Sequence, residues 1–312
     1  MNGFFIIRII DSIPSKSILN VLFYSDKRIF FTRLIGEGVM NNIEEIIQAF
    51  YTGVVVATFL YTTGRVRKAI ELCRESLVLL NDKALEKEEQ IGKFLYEAVY
   101  KIMFEACFLI RDYTNAITCG RKLLVIKRER GETVNEGKLS IKLAAIFEAQ
   151  NKYVEAKELY KRAISIMNKT GNSKEEADAC TNLGIVLCSL SEFDKAKEYL
   201  EKALAIAIEI GDRKGEERHY GNLGTMLFLL ADYVKAKEYH EKALAIAIEI
   251  GDRKGEERHY GNLGTVFRSL ADYVKAKEYH EKALAIAIEI GDRQRRRRRT
   301  LCKPRNCVWI SR

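Results

Sequence analysis

The sequence predicts an all-α solenoid of about six helix-turn-helix units. Three observations predict it. The fifteen residues GDRKGEERHYGNLGT occur at 211–225 and again at 251–265. An alanine recurs at Ala116, Ala156, Ala196, Ala236 and Ala276, each forty from the next, with Ala69 heading the series after an interval of 47. The only two prolines of the 312-residue chain, Pro14 and Pro304, lie near its ends, so no proline breaks a helix between them.

Residues 201–240 and 241–280 differ only at 226–229, so 36 of the forty positions are identical. Within a unit the pattern is two amphipathic helices. In 257–291 the residues Tyr260, Leu263, Gly264 and Phe267 fall on one helical stripe. The turn LADY follows, with Asp272 placed to cap the second helix. That helix turns Ala276, Tyr279, His280, Ala283 and Leu284 inward. Gly251 and Gly291 come directly after the last apolar residue, where a left-handed C-terminal residue suits glycine. One such pair cannot bury its own apolar faces, and stacking on neighbours solves this.

The pattern Tyr260, Leu263, Gly264, Phe267, Ala276, His280, Ala283 resembles the tetratricopeptide repeat. The units at 217 and 177 carry it as Tyr220, Leu223, Gly224, Leu227, Ala236, His240, Ala243 and as Cys180, Leu183, Gly184, Leu187, Ala196, Leu200, Ala203. In the earlier units Ala57, Phe104 and Ala144 replace the glycine. Glycine at the eighth position and alanine at the twentieth let two helices approach closely. The family's proline position is Ile288 here, so the second helix is expected to run about a turn and a half longer. The forty-residue unit resembles the Pins/LGN class of G-protein-signalling modulators and the arrays of tetratricopeptide repeat protein 28.

The resemblance implies a right-handed superhelix whose first helices line a concave groove for an extended peptide. Its groove positions fall on Asn182, Arg218, Asn222, Thr225, Phe228, Arg258, Asn262, Thr265 and Arg268. Asparagine pairs with a peptide backbone through donor and acceptor, and arginine suits a carboxylate, so the expected partner is an extended, acidic segment of another protein. Two groove positions differ between the near-copies, where Phe228 and Leu229 become Arg268 and Ser269. Diversified binding and drift after duplication both account for that.

Other signals are weaker. The net charge is +9, but residues 293–312 hold nine basic residues and no acid, which leaves 43 against 43 in residues 1–292. The seven cysteines are odd in number and show no Cys-x-x-Cys, which reads as reduced, buried cysteine in a cytoplasmic protein. HEKAL at 240 and 280 puts Leu244 and Leu284 where H-E-x-x-H needs its second ligand, so no metal is expected. GNLG lies inside a helix, unlike a phosphate loop, and no nucleophile–base pair stands out. The reading is therefore non-catalytic and without a cofactor. GVVVATFLY at 53–61 is too short for a membrane span, and the interrupted apolar N-terminus is not read as a signal peptide.

Residues 1–40 fit no repeat, 41–292 form the solenoid, and 293–312 are expected to be a disordered basic tail. The function expected is that of an adaptor or scaffold binding partner peptides in the groove, in G-protein or polarity signalling. Two alternatives stand. Arg295, Arg296, Arg297, Arg298 and Arg299 give the tail the charge to bind nucleic acid or acidic membrane, or the chain is an inactive fragment of a longer array.

Overall fold

The computed structural model describes residues 43–80 and 89–301. Among them it has twelve α-helices and no strand. In order these are α1 Ile43–Thr62, α2 Val66–Leu80, α3 Glu89–Leu109, α4 Tyr113–Glu129, α5 Thr133–Ala149, α6 Tyr153–Lys169, α7 Ser173–Ser189, α8 Phe193–Glu209, α9 Arg213–Leu229, α10 Tyr233–Glu249, α11 Arg253–Ser269 and α12 Tyr273–Leu301. They form six consecutive pairs. All six marker alanines are buried. Two compact units divide the chain, residues 1–139 and 140–312.

In the first unit each helix from α1 to α4 packs on the next, and α1 also reaches α3. Phe50, Ala57, Leu95, Val99 and Phe104 form its core. Cys73, Cys107 and Cys119 are buried and free. Burial pushes the thiols of Cys73 and Cys119 up to about 12 and that of Cys107 up to about 11. They are buried packing residues. Cys302 and Cys307 lie outside the described residues.

In the second unit α9 and α10 are both 17 residues long. Two such helices and two three-residue links make the forty-residue period. The links share one geometry. Gly211 N–H donates to Ile208 O (3.1 Å) and Asp212 N–H to Ala207 O (2.9 Å). This is the Schellman ending, with Gly211 at φ 68°. Asp212 then caps α9, its carboxylate accepting from Gly215 N–H at 2.9 Å. Each first helix therefore begins a turn earlier than the apolar stripe suggests, at Arg213 and Arg253 instead of 217 and 257.

Within a pair the same turn forms without glycine. Ala231 and Ala271 sit at φ 60° and 59°, and Asp272 accepts from Lys275 N–H at 3.1 Å, as expected of a cap. The turn at Gly291 does not form. There α12 stays helical and continues to Leu301, so residues 293–301 have a helical backbone where a disordered tail is expected. Residues 302–312, like residues 1–42, lie outside the described residues.

The repeated glycines do allow close approach, but a side chain fills the space. A Cβ on Gly184 would lie 2.7 Å from Leu200 Cγ, and one on Gly224 would lie 2.9 Å from the His240 ring. Consecutive pairs interlock as well. Leu244 of α10 packs with Leu263 and Phe267 of α11 and Ala276 of α12.

Gly221 and Gly261 occupy the same place in the duplicated fifteen residues. A Cβ on Gly221 would lie 2.6 Å from His259 Cε1, whereas nothing lies within 4 Å at Gly261. Gly221→Ala is expected to lower stability by about 1–3 kcal/mol through overpacking. Gly261→Ala is expected to raise it by about 0.5–1 kcal/mol through helix propensity. Urea unfolding midpoints of the two variants check this; equal shifts would contradict it.

Candidate functional site

The first helices α7, α9 and α11 are neighbours in the second unit. Asn182, Asn222 and Asn262 hold one register on them, and all three are half-buried. Forty-residue spacing on stacked helices brings them into one row.

The other expected site residues divide into three groups. Arg218 and Arg258 are already paired within the protein. Arg218 Nη2 binds Asp178 Oδ1 of the preceding pair, and Arg258 Nη2 donates to Glu217 Oε1 at 2.6 Å. Their guanidinium groups hold seams between pairs, which weakens their expected role as free donors for a partner carboxylate. Thr225 and Thr265 donate to their own helix, to Gly221 O (3.0 Å) and Gly261 O (3.1 Å). Phe228 leans on Tyr233 at the start of α10, with ring centroids 5.3 Å apart.

Arg268 is exposed at the end of α11. Of the four differences between the near-copies, two are internal. Met226 and Leu227 become Val266 and Phe267, all buried, one side chain shrinking as its neighbour grows. The surface therefore changes only where Phe228 and Leu229 become Arg268 and Ser269. Arg295–Arg299 lie on the last turns of α12, where only the backbone is described.

Periodicity did not reveal the polar seam. His219 of α9 is fully buried, with Nδ1 2.8 Å from Thr181 Oγ1 of α7. One pair later His259 lies over Gly221, and its Nε2 binds Glu217 Oε1. His240 of α10 joins them, its ring centroid 6.0 Å from that of His259. The signal lay in the sequence at an interval no helical wheel displays, since an Arg-His pair meets a residue about forty positions upstream.

Burial tends to raise the Glu217 carboxyl, but the hydrogen bond from His259 and the Arg258 charge outweigh it and hold it below the usual range. Burial, then the Arg218 charge, holds His219 down at about 4. Burial, then His259 and Arg258, does the same to His240. These are neutral packing imidazoles. No cluster of three His, Cys, Asp or Glu among the described residues is arranged to hold a metal. No described helix is long and apolar enough to cross a membrane.

The tetratricopeptide repeat model matches residues 136–209, 175–249 and 215–289. Residues 136–289 are tetratricopeptide repeats. Solved structures agree in fold. BtubC (BKLC) from P. vanneervenii aligns at a TM-score of 0.59 and 20% identity, over 73% of this chain and 90% of that one. A Rap protein complexed with competence and sporulation factor aligns at 0.55 and 18%, over 83% and 70%. The nearly identical TPR-like repeats of a putative kinesin light chain from Podosopora anserina align at 0.53 and 17%, over 68% and 99%. At these identities the likeness is one of fold. No curated protein matches the chain.

Burial of His219 and His240 is expected to make the repeats acid-sensitive. His219 and His240 titrate near 6.5 when unfolded and near 4 when folded. The unfolded chain thus binds more protons between those values, and stability falls as pH drops through that window. Glu217, with its lowered value, adds a loss in the same direction below the carboxylate range. The expected slope is roughly 1 kcal/mol per pH unit for each histidine. His240→Leu places at Gly224 the residue that Leu200 places at Gly184, and it should fold and flatten the slope. Denaturant midpoints between about pH 7 and pH 4 check this; an unchanged slope in the variant rules out His240 as a source.

Proposed function

We propose that the chain is a non-catalytic adaptor that grips an extended segment of another protein along α7, α9 and α11. The row Asn182, Asn222 and Asn262 carries the reading. A side-chain amide can donate to a peptide carbonyl and accept from a peptide N–H, and three at regular intervals match an extended backbone irrespective of its sequence. Arg268 is exposed on this face, and Arg258, though exposed too, is held by Glu217, so acidic preference at that end of the segment rests on Arg268 more than on the paired Arg218 and Arg258. Phe228 with Leu229 would offer an apolar contact one unit earlier. A structural neighbour of the same fold is a Rap protein in complex with competence and sporulation factor, which supports a binding role for such a scaffold. The Pins/LGN resemblance extends the reading to a cytoplasmic adaptor in G-protein or polarity signalling.

The five consecutive arginines favour a second reading, attachment to nucleic acid or acidic membrane. Salt dependence separates the two, because phosphate contacts release counterions. Affinity capture should be run on the intact chain, the Asn182/Asn222/Asn262→Ala variant and a chain lacking residues 293–312. The expected result is that the asparagine variant loses its partners by about tenfold or more, as the loss of several hydrogen bonds at about 1 kcal/mol each implies. The shortened chain should keep them. Identical partners for the intact chain and the asparagine variant would defeat the proposal.

A further inference from the structure

The two near-copies form an internal control. Where sequence is the same, a difference in exposure reports surroundings. Leu244 of α10 is 9% exposed, whereas Leu284 at the same place of α12 is 61% exposed. His240 is 2% exposed, whereas His280 is open to solvent. On the first helices Glu217 is 0% exposed, and its counterpart Glu257 is half-buried. Gly221 lies under the His259 ring, and Gly261 has nothing within 4 Å.

What covers the first set is α11. Its Leu263 and Phe267 pack on Leu244, and its Arg258 and His259 bind Glu217. The α11–α12 pair presents the same acceptors uncovered: a carboxylate, a ring-sized space over a glycine, and an apolar knob.

We infer that this α11–α12 face is a docking site for the first helix of a further unit of the same kind, supplied by a partner protein. The occupant must carry an Arg-His pair near its start, Arg to Glu257 and the imidazole over Gly261, with large apolar residues one and two turns later to cover Leu284. A second copy of this chain fits less well, because Arg218-His219 and Arg258-His259 are both already seated on preceding pairs. The inference makes no use of the asparagine row, so it stands apart from the peptide-gripping proposal.

A fluorescent peptide spanning residues 211–250 supplies a free Arg218-His219 pair in trans. Titrated with the intact chain, it should bind saturably, with a gain in helicity by circular dichroism. His219→Ala in the peptide, and Gly261→Leu or Glu257→Lys in the chain, should each weaken binding about tenfold or more. Gly261 has nothing within 4 Å of its Cβ position and Glu257 is partly exposed. Absence of saturable binding, or binding indifferent to both chain variants, would overturn the inference. So would sedimentation showing that the intact chain self-associates and that Gly261→Leu does not, since a second copy would then be the occupant.

Discussion

How closely one helix can lie against the next governs residues 140–290. In the last three pairs a glycine of the first helix faces a large side chain sixteen positions later: Gly184 faces Leu200, Gly224 faces His240, and Gly264 faces His280. Between pairs Gly221 receives the His259 ring. Every such fit needs a small residue and a bulky one at fixed separation. One inserted residue would rotate the following helix by about 100°, since a turn takes 3.6 residues, and would aim the bulky partner away. The strict period is therefore a steric requirement.

The seams also show how residues 1–292, with 43 basic and 43 acidic side chains, use that charge. Glu217 is wholly buried, a costly place for a carboxylate without partners. Arg258 and His259 supply them from the next pair. Around this core lies a rim of exposed pairs, such as Lys174–Asp212 at 3.1 Å and Arg253–Glu289 at 2.5 Å. Exposed pairs contribute little individually. The buried triad fixes which face of one helix meets which face of the next.

Much of this was legible in the sequence. Six alanines located six helix pairs, and Asp272 sits at a cap as its side chain suggests. The apolar stripe located the inward faces of α10 and α11, whereas on α12 His280 and Leu284, expected inward, are exposed because no further helix packs on them among the described residues. Three features were not legible, each for a physical reason. Arg213 and Arg253 begin helices that the stripe alone delays by a turn, because the backbone turns at Gly211 and Gly251, with the Asp212 side chain capping the first, launch each helix before any apolar residue appears. Ala231 and Ala271 adopt the left-handed turn without glycine, since the flanking helices and the Schellman bonds impose it. Arg218 and Arg258 looked available for a partner, yet Asp178 and Glu217 hold them, and pairing across forty residues depends on stacking that no local pattern displays. Of the candidate site, the asparagine register was readable from spacing alone, whereas the occupancy of its arginines was not.

The near-identity of the two copies bears on how such a gene changes length. Excising the tract encoding 211–250 would bring α11 onto α7, with His259 over Thr181 and Arg258 beside Asp178. These are the contacts that His219 and Arg218 make now. Gaining a tract would repeat the Glu217–His259 contact in the same way. Unequal recombination between the copies can thus lengthen or shorten the protein by whole forty-residue steps without exposing a mismatched join.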